Sequence, residues 1–334
     1  MINIALDAMG GSNAPKSTVE GALQAVKKFD DIQITLHGDR EKILEVEENL
    51  PDRVIIEHTS QALGETEQIF DALKEKRPVS IINAVEAVKE GRCDGAVSAG
   101  STGGVFVSAL TLLGVIKGIN RPAGLMHIPT FSKENPSFVL IDVGTNADVK
   151  ARNLNEFAVL GSHYAHSVQG KSSPKVALLS NGTEETKGDK IHKAAYQLLI
   201  ENEEINFIGN VEPHGLLDGS VDVLVADGFS GNVYLKQHEE MSEQYSNEIL
   251  KRIQSLDLDE ESQRLVSGEI IQLKRQLATT RYGACILSGL PSPVVITHGR
   301  SDGEAIATGI QQLREAVKSR YTQKSRDYFE NKGK

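Results

Sequence analysis

Cysteine is scarce: the chain of 334 residues has two, Cys93 and Cys285, far apart and each in or beside an apolar run. No CxxC pair occurs, which argues against a thiolate metal site, and nothing suggests an oxidised compartment. No apolar run approaches the ~18 residues that a membrane-spanning helix needs. The start, MINIALDAMGG, reads as a strand and a loop rather than a charged stretch leading into an apolar secretory core, so the cytoplasm is the expected location. Basic residues are outnumbered, 36 Lys and Arg against 46 Asp and Glu, for a formal charge of -10. A chain this acidic is a poor general binder of nucleic acid, and an acidic partner would need a local basic patch. A Walker A order of Gly-Lys-Ser/Thr and a GxGxxG after the first strand are also missing, which removes the usual sequence support for ATP and NAD. His163 and His166 lie on one helical pattern without an HExxH context and read as solvated or capping histidines. Neither a metal nor another cofactor is expected.

A hydrophobic content of 39% is enough for a sizeable core. Short β-rich runs alternate with amphipathic helical patterns. The strands read at Ile2–Leu6, Ile32–Leu36, Val54–Glu57, Gly95–Ser98, Ser137–Ile141, Val176–Leu179, Asn206–Ile208, Val221–Val225 and Val294–Thr297. Helical patterns span Lys16–Phe29, Ile82–Lys89, Gly104–Val115, Asn155–Val168 and Asp189–Ile200. Several strands are continuous apolar runs, as strands covered on both faces are. The alternation implies a single α/β domain over residues 1–334, a three-layer α/β/α sandwich with a mostly parallel sheet. Residues 230–280 break it: a long helix, a polar joint at Ser255–Glu261 and a second helix read as a projecting helical hairpin. The polar basic tail, 320–334, is expected to fray.

In an open parallel sheet, ligands bind at the carboxyl ends of the strands. Six predicted strand ends carry Gly with Ser, Thr, Asn or Asp. They are DAMGGSNAP from Asp7, AGSTGG from Ala99, DVGTNAD from Asp142, SNGTEETKG from Ser180, ADGFSGN from Ala226 and HGRSDG from His298. Glycine lets backbone N–H groups approach a ligand, and a following helix start adds partial positive charge, so such loops suit phosphate. The plainer reading is that these are ordinary turn and cap residues, which holds better for one loop than for six on one edge. Lys187 would be a mobile point charge at a helix start, or a solvated surface lysine. Ala99–Gly103 resembles a nucleophile elbow, and Asp227 and His298 follow in the order of a serine hydrolase, with loose spacing.

DAMGG…AP, SAGSTGG, RPA at Arg121–Ala123, DVGTNAD, LLSNGTEETKG, NFIGNVE, DVLVADGFSGNVYLK and YGA…HGRSD occur in this order. Together they closely resemble the phosphate acyltransferase family of bacterial phospholipid synthesis, the PlsX family, from Ile4 to about Ile310. The resemblance implies transfer of a fatty acyl group from acyl carrier protein to inorganic phosphate, giving acyl phosphate, the donor for glycerol-3-phosphate acylation. It also implies an α/β/α sandwich like that of phosphotransacetylases, a homodimer, peripheral membrane association and contact with a glycerol-3-phosphate acyltransferase. The chain departs from the family pattern at Ser12, where an acidic residue is usual, and at Ser101, where asparagine is usual. It departs also at Gly104, around Ser80 and at Glu240.

On this resemblance bound phosphate attacks the thioester carbonyl directly, with no acyl-enzyme. Lys187 is the expected phosphate or transition-state cation. Backbone groups of Gly100, Ser101, Thr102, Gly103 and Gly104, and of Gly182, Thr183 and Glu184, would cradle the anion. Asn146, Asp227 and Asn232 would orient the site, and His298 would protonate the leaving thiolate. On the hairpin, Lys251, Arg252, Arg264, Lys274, Arg275 and Arg281 concentrate basic charge. Val266, Ile270, Leu273 and Leu277 form an apolar stripe there. That surface could dock acyl carrier protein, meet an anionic membrane, or pack on the body or a second copy. Rival readings are a phosphotransacetylase-like enzyme using acyl-CoA, a serine-nucleophile acyl hydrolase and a non-catalytic regulatory relative.

Overall fold

A computed structural model of the chain describes residues 1–62, 69–279 and 284–332. In chain order the elements are β1 (Ile2–Asp7), α1 (Lys16–Lys28), β2 (Ile32–Gly38), α2 (Arg40–Val46), β3 (Val54–His58), α3 (Ile69–Lys74), α4 (Ser80–Lys89), β4 (Gly95–Ser98) and α5 (Thr102–Leu113). Next come β5 (Ala123–Pro129), β6 (Ser137–Ile141), α6 (Ala151–Ser167), β7 (Lys175–Leu179), α7 (Lys190–Ile200), β8 (Asn206–Val211) and β9 (Val223–Val225). The chain continues through α8 (Gly228–Gln254), α9 (Glu260–Leu277), β10 (Cys285–Ser288), β11 (Val294–Ile296), α10 (Gly303–Lys318) and α11 (Tyr321–Lys332).

One sheet holds the eleven strands, in the order β3-β2-β1-β4-β11-β10-β5-β6-β9-β7-β8. The strands β4 and β6 are buried at every position, so their apolar runs are covered on both faces. One face is covered by α1, α6, α10 and α11. In α1 the apolar positions Val19, Ala22, Ala25 and Val26 recur at helical spacing and are buried, as are Ile306, Ile310 and Leu313 of α10. The other face is covered by α3, α4 and α5 over one end of the sheet and by α8 over the other. Aspartates at 39, 189, 227, 259 and 302 cap α2, α7, α8, α9 and α10, each satisfying amides the helix start leaves open.

The sheet is mostly parallel but does not have one direction. β3, β2, β1, β4 and β11 run one way and β6, β9, β7 and β8 run the other, with β10 and β5 antiparallel to each other and to their neighbours between the blocks. The expectation of six loops on one edge is therefore corrected. The loops after β1, β4 and β11 leave one edge, and those after β6, β7 and β9 leave the opposite edge. The two reversing strands are the ones the sequence pattern did not reveal.

The tail also differs from expectation. Instead of fraying, it forms α11, which buries Tyr321 and Phe329. The Tyr321 hydroxyl donates to Ser288 Oγ at 3.1 Å, and Ser325 Oγ lies 3.1 Å from His163 Nδ1. Three apolar or aromatic positions scattered among charges are a weak pattern in sequence, yet enough to hold a helix once a hydrophobic face is there to receive them.

Candidate active site

A cavity of about 770 Å³ lies where the two strand blocks meet. The first block supplies Asp7, Gly10, Gly11 and Ser12 after β1, Ser80 at the start of α4, Ala99 to Thr102 after β4, and Thr297 to Arg300 after β11. The second supplies Gly144 and Thr145 after β6, and Asn232, Leu235 and Lys236 on α8. Met126 of β5 and Cys285 of β10 line it between them.

The glycine and hydroxyl residues do two jobs. Ser101 caps α5, its Oγ accepting from Gly104 N at 3.2 Å, so its position is set by the helix it starts. Ser98 Oγ donates to Asp7 Oδ2 at 2.6 Å and accepts from Gly100 N at 2.9 Å, tying the loop after β4 to the end of β1. Gly10 fits beneath this tie because it has no Cβ: one there would lie 2.4 Å from Asp7 Oδ2 and 2.8 Å from Gly100 N. Asp7 itself is buried. Burial pushes its carboxyl above the ordinary range, against the pull of hydrogen bonds from Ser98, Ser80 and the Met9 and Gly10 amides. The start of α5 thus faces the cavity with the partial positive charge of a helix N-terminus, and the carboxyl nearest it is disfavoured as an anion.

The cations of the cavity come from both blocks, Lys236 from α8 and Arg300 from the loop after β11. Lys236 Nζ donates to Glu239 Oε2 at 2.9 Å, and Glu239 Oε1 lies 3.5 Å from His298 Nε2 and accepts from Thr279 Oγ1 at 3.1 Å. Burial works to raise the Glu239 carboxyl, but the hydrogen bonds from His298 and Lys236 outweigh it and hold it down at about 2. Glu239 is therefore an anion that orients two donors. Arg300 is exposed at the rim and makes no ion pair among the described residues. Thr297 is buried, lines the cavity, and its Oγ1 has no hydrogen-bond partner among the described residues.

The remaining expected residues lie behind or beside the cavity. Asp142 accepts from the amides of Gly124, Gly144, Thr145 and Asn146 and from both side chains of Thr145 and Asn146. The Asn146 amide also donates to Pro122 O at 2.8 Å, so it is spent within the buried loop. Asp227 caps α8 through Ser230 N at 2.9 Å, and its other oxygen lies 3.5 Å from His192 Nε2. His192 Nδ1 in turn sits 2.8 Å from Asp189, so this histidine joins the loop after β7 to the loop after β9. Lys187, Gly182, Thr183 and Glu184 belong to the loop after β7, where Glu184 O accepts from Asn210 Nδ2 at 2.9 Å. Lys187 is exposed, makes no ion pair among the described residues, and does not line the cavity. Gly103 and Gly104 lie within the first turn of α5 and do not line it either. Of the expected site residues the cavity brings together Gly100, Ser101, Thr102, Asn232 and His298. Lys236, Glu239, Asp7 and His192 were missed as site residues. The LKQHEE run held the signal for two of them, since it follows the ADGFSGN loop by one helical turn.

A family model described as "Fatty acid synthesis protein" matches residues 2–324. The chain belongs to this family, the PlsX family. A phosphate acyltransferase of Streptococcus pyogenes is 42% identical over 315 residues, covering 94% of this chain and 93% of the relative. Solved structures share the PlsX fold at low identity. A phosphotransacetylase of Streptococcus pyogenes matches with a TM-score of 0.63 at 17% identity, covering 95% of this chain and 94% of its own. A branched-chain phosphotransacylase of Enterococcus faecalis matches with a TM-score of 0.59 at 16% identity, covering 95% and 100%.

The hairpin of this PlsX family member is α8 and α9, joined through residues 255–259. No residue of α9 is buried, and Leu265, Val266, Ile271 and Leu273 are exposed. Of the stripe itself, Val266 and Leu273 are exposed while Ile270 and Leu277 are half-buried, so its own chain covers it only in part. Lys251, Arg252, Arg264 and Arg275 are exposed, while Lys274 is half-buried, donating to Asn247 Oδ1 at 2.9 Å. Arg252 is paired with Glu248 at 3.0 Å. Arg281 lies outside the described residues. Among the described residues, no helix is long and apolar enough to cross a membrane.

Proposed function

We propose that this protein transfers a fatty acyl group from acyl carrier protein to inorganic phosphate. The observation that carries the reading is a single cavity with an α5 N-terminus and cations on its walls and an apolar floor, in a chain 42% identical to a phosphate acyltransferase. Amides of Gly100 to Thr102, with Lys236, Thr297 and Arg300, would hold the phosphate dianion. A phosphate oxygen attacks the thioester carbon, the C–S bond breaks, and the thiolate leaves with a proton from His298 or water. The same donors stabilise the oxyanion that forms on the carbonyl. Ser101 supports direct attack rather than an acyl-enzyme. Its Oγ already accepts from Gly104 N, and no histidine hydrogen-bonds to it among the described residues. Lys187 serves as a further cation from the neighbouring loop, with Asn146, Asp227 and His192 holding that loop system together.

The exposed basic residues of α8 and α9 suit an acidic carrier protein. The apolar positions on α9 suit a second copy of the chain in a homodimer or the surface of an anionic membrane, where a glycerol-3-phosphate acyltransferase would receive the product.

The test is acyl phosphate formation from palmitoyl-acyl carrier protein and from palmitoyl-coenzyme A, with and without phosphate. The expected result is phosphate-dependent transfer from the carrier protein, reduced roughly 100-fold by Lys236→Ala and much less by Lys187→Ala, whose side chain stands outside the cavity. Preference for coenzyme A would make it phosphotransacetylase-like. Thioester cleavage indifferent to phosphate would make it a serine hydrolase, and carrier binding without turnover would make it a regulatory relative.

A further inference from the structure

The cavity has a second chemistry that phosphate does not use. Its floor spans the β10–β5 junction, where Cys285 packs against two separate apolar clusters, one containing Val105 and Ile296 and the other Met126, Val143 and Leu235. These side chains are buried from bulk water yet face the same space as the Gly100 to Thr102 amides and Lys236. Burial pushes the Cys285 thiol up to about 12, so it is an apolar wall and not a nucleophile. Gly124 of β5 keeps that wall low: a Cβ there would meet Cys285 Sγ at 2.9 Å and Val143 Cγ2 at 3.0 Å. An anion site needs no such floor, whereas an alkyl chain whose carbonyl lies at that anion site needs one within a few ångströms.

We propose that the alkyl chain of the acyl donor lies over the β10–β5 junction, against Met126, Val143, Leu235, Cys285 and Ile296, and that this strip sets acyl-chain preference. The assignment rests on the acyl-transfer reading above and adds to it where the chain goes. The floor is bounded on both sides by packed core, so bulk added to it shortens the space available to the chain. Each methylene that fails to fit forfeits a hydrophobic contribution worth a discrimination of roughly 10-fold or more.

The experiment compares kcat/KM for octanoyl-, lauroyl- and palmitoyl-acyl carrier protein in the wild type and in Leu235→Phe, Cys285→Leu and Met126→Ala. The two narrowing variants are expected to lower the palmitoyl-to-octanoyl ratio by about tenfold, and the widening variant to raise it. Ratios unchanged in folded variants, or rates lowered equally for all three donors, would overturn the assignment. If a narrowing variant fails to fold, as its thermal melt would show, Met126→Ala carries the same ratio in the opposite direction. Failure of the underlying reading is separate: wild-type protein would then form no acyl phosphate from any of the three donors.

Discussion

Lys236 and Lys187 stand in different places, Lys236 in the cavity and Lys187 outside it, and on the proposed reading the difference can be measured. Lys236 lines the cavity and is held by Glu239, so it is pre-oriented toward a bound anion. Lys236→Ala is expected to lower kcat/KM for phosphate roughly 100-fold. Glu239→Gln keeps the shape and loses the charge that orients Lys236 and His298, and a loss of about tenfold is expected, mostly in KM for phosphate. Steady-state kinetics with phosphate as the varied substrate checks both, and equal losses for the two variants would argue against an orienting role for Glu239. Gly231 is a different kind of position. A Cβ there would sit 1.9 Å from Asp142 O, so the start of α8 can approach the loop after β6 only with glycine. Gly231→Ala should cost about 1–3 kcal/mol, with the melting temperature falling accordingly. At this scale the sequence was readable where chemistry is written in residue type. Gly100, Ser101, Thr102, Asn232 and His298 announced themselves as glycine, hydroxyl, amide and imidazole at strand ends. Lys236 was marked only by its place one helical turn after the ADGFSGN loop, because by residue type a lysine inside a helix pattern looks the same whether its tip meets water or a cavity.

Among the elements, α11 makes the clearest claim on stability. Tyr321 and Phe329 are buried in the same core as α6, with the Tyr321 ring 5.3 Å from that of Tyr164 at an edge-to-face angle. Phe329→Ala is expected to cost about 3–5 kcal/mol. Tyr321→Phe, which removes only the hydrogen bond to Ser288, should cost about 1 kcal/mol. Denaturant unfolding at constant slope distinguishes them. The strands that the pattern missed share a cause. β5 is seven residues interrupted by Gly124 and ended by Pro129, and β10 is four residues beginning at a cysteine. Neither gives enough consecutive apolar or alternating positions to stand out from a loop. Since these two carry the reversal of strand direction, their loss in the reading also hid which loops leave which edge.

For the molecule as a whole, acid is the expected weakness. His127 is buried beside Tyr164, and desolvation lowers it from 6.5 to about 4. His37 is also buried and lowered to about 4, by desolvation chiefly. A folded-state value below the unfolded one means the unfolded chain takes up protons first as pH falls. Stability from these residues is full above about pH 6.5 and is lost down to about pH 4, at a cost on the order of 3 kcal/mol for His127. Asp31 adds to the same trend at lower pH, since the hydrogen bond from Arg314 holds its carboxyl well below the ordinary range. Urea midpoints measured from pH 8 to pH 4 should fall steadily, and His127→Phe should flatten the curve between pH 6.5 and pH 4.

β11 sits between β4 and β10 in the middle of the sheet, although it is made from residues 294–296. Emerging from the ribosome, the chain has β1 to β4 long before it has their neighbour. Until then β4 offers an open edge of unpaired amides and carbonyls. The helix that covers β1 and β4 on one face, α10, arrives later still, and Gly21 of α1 fits so closely against Ile306 of α10 that a Cβ would meet it at 2.5 Å. The N-terminal third therefore waits for β11 and α10 before it can close, a long-range closure of the kind that slows folding. A nascent chain stalled before β10 should stay protease-sensitive throughout its first hundred residues, and become resistant only when α10 has cleared the exit tunnel.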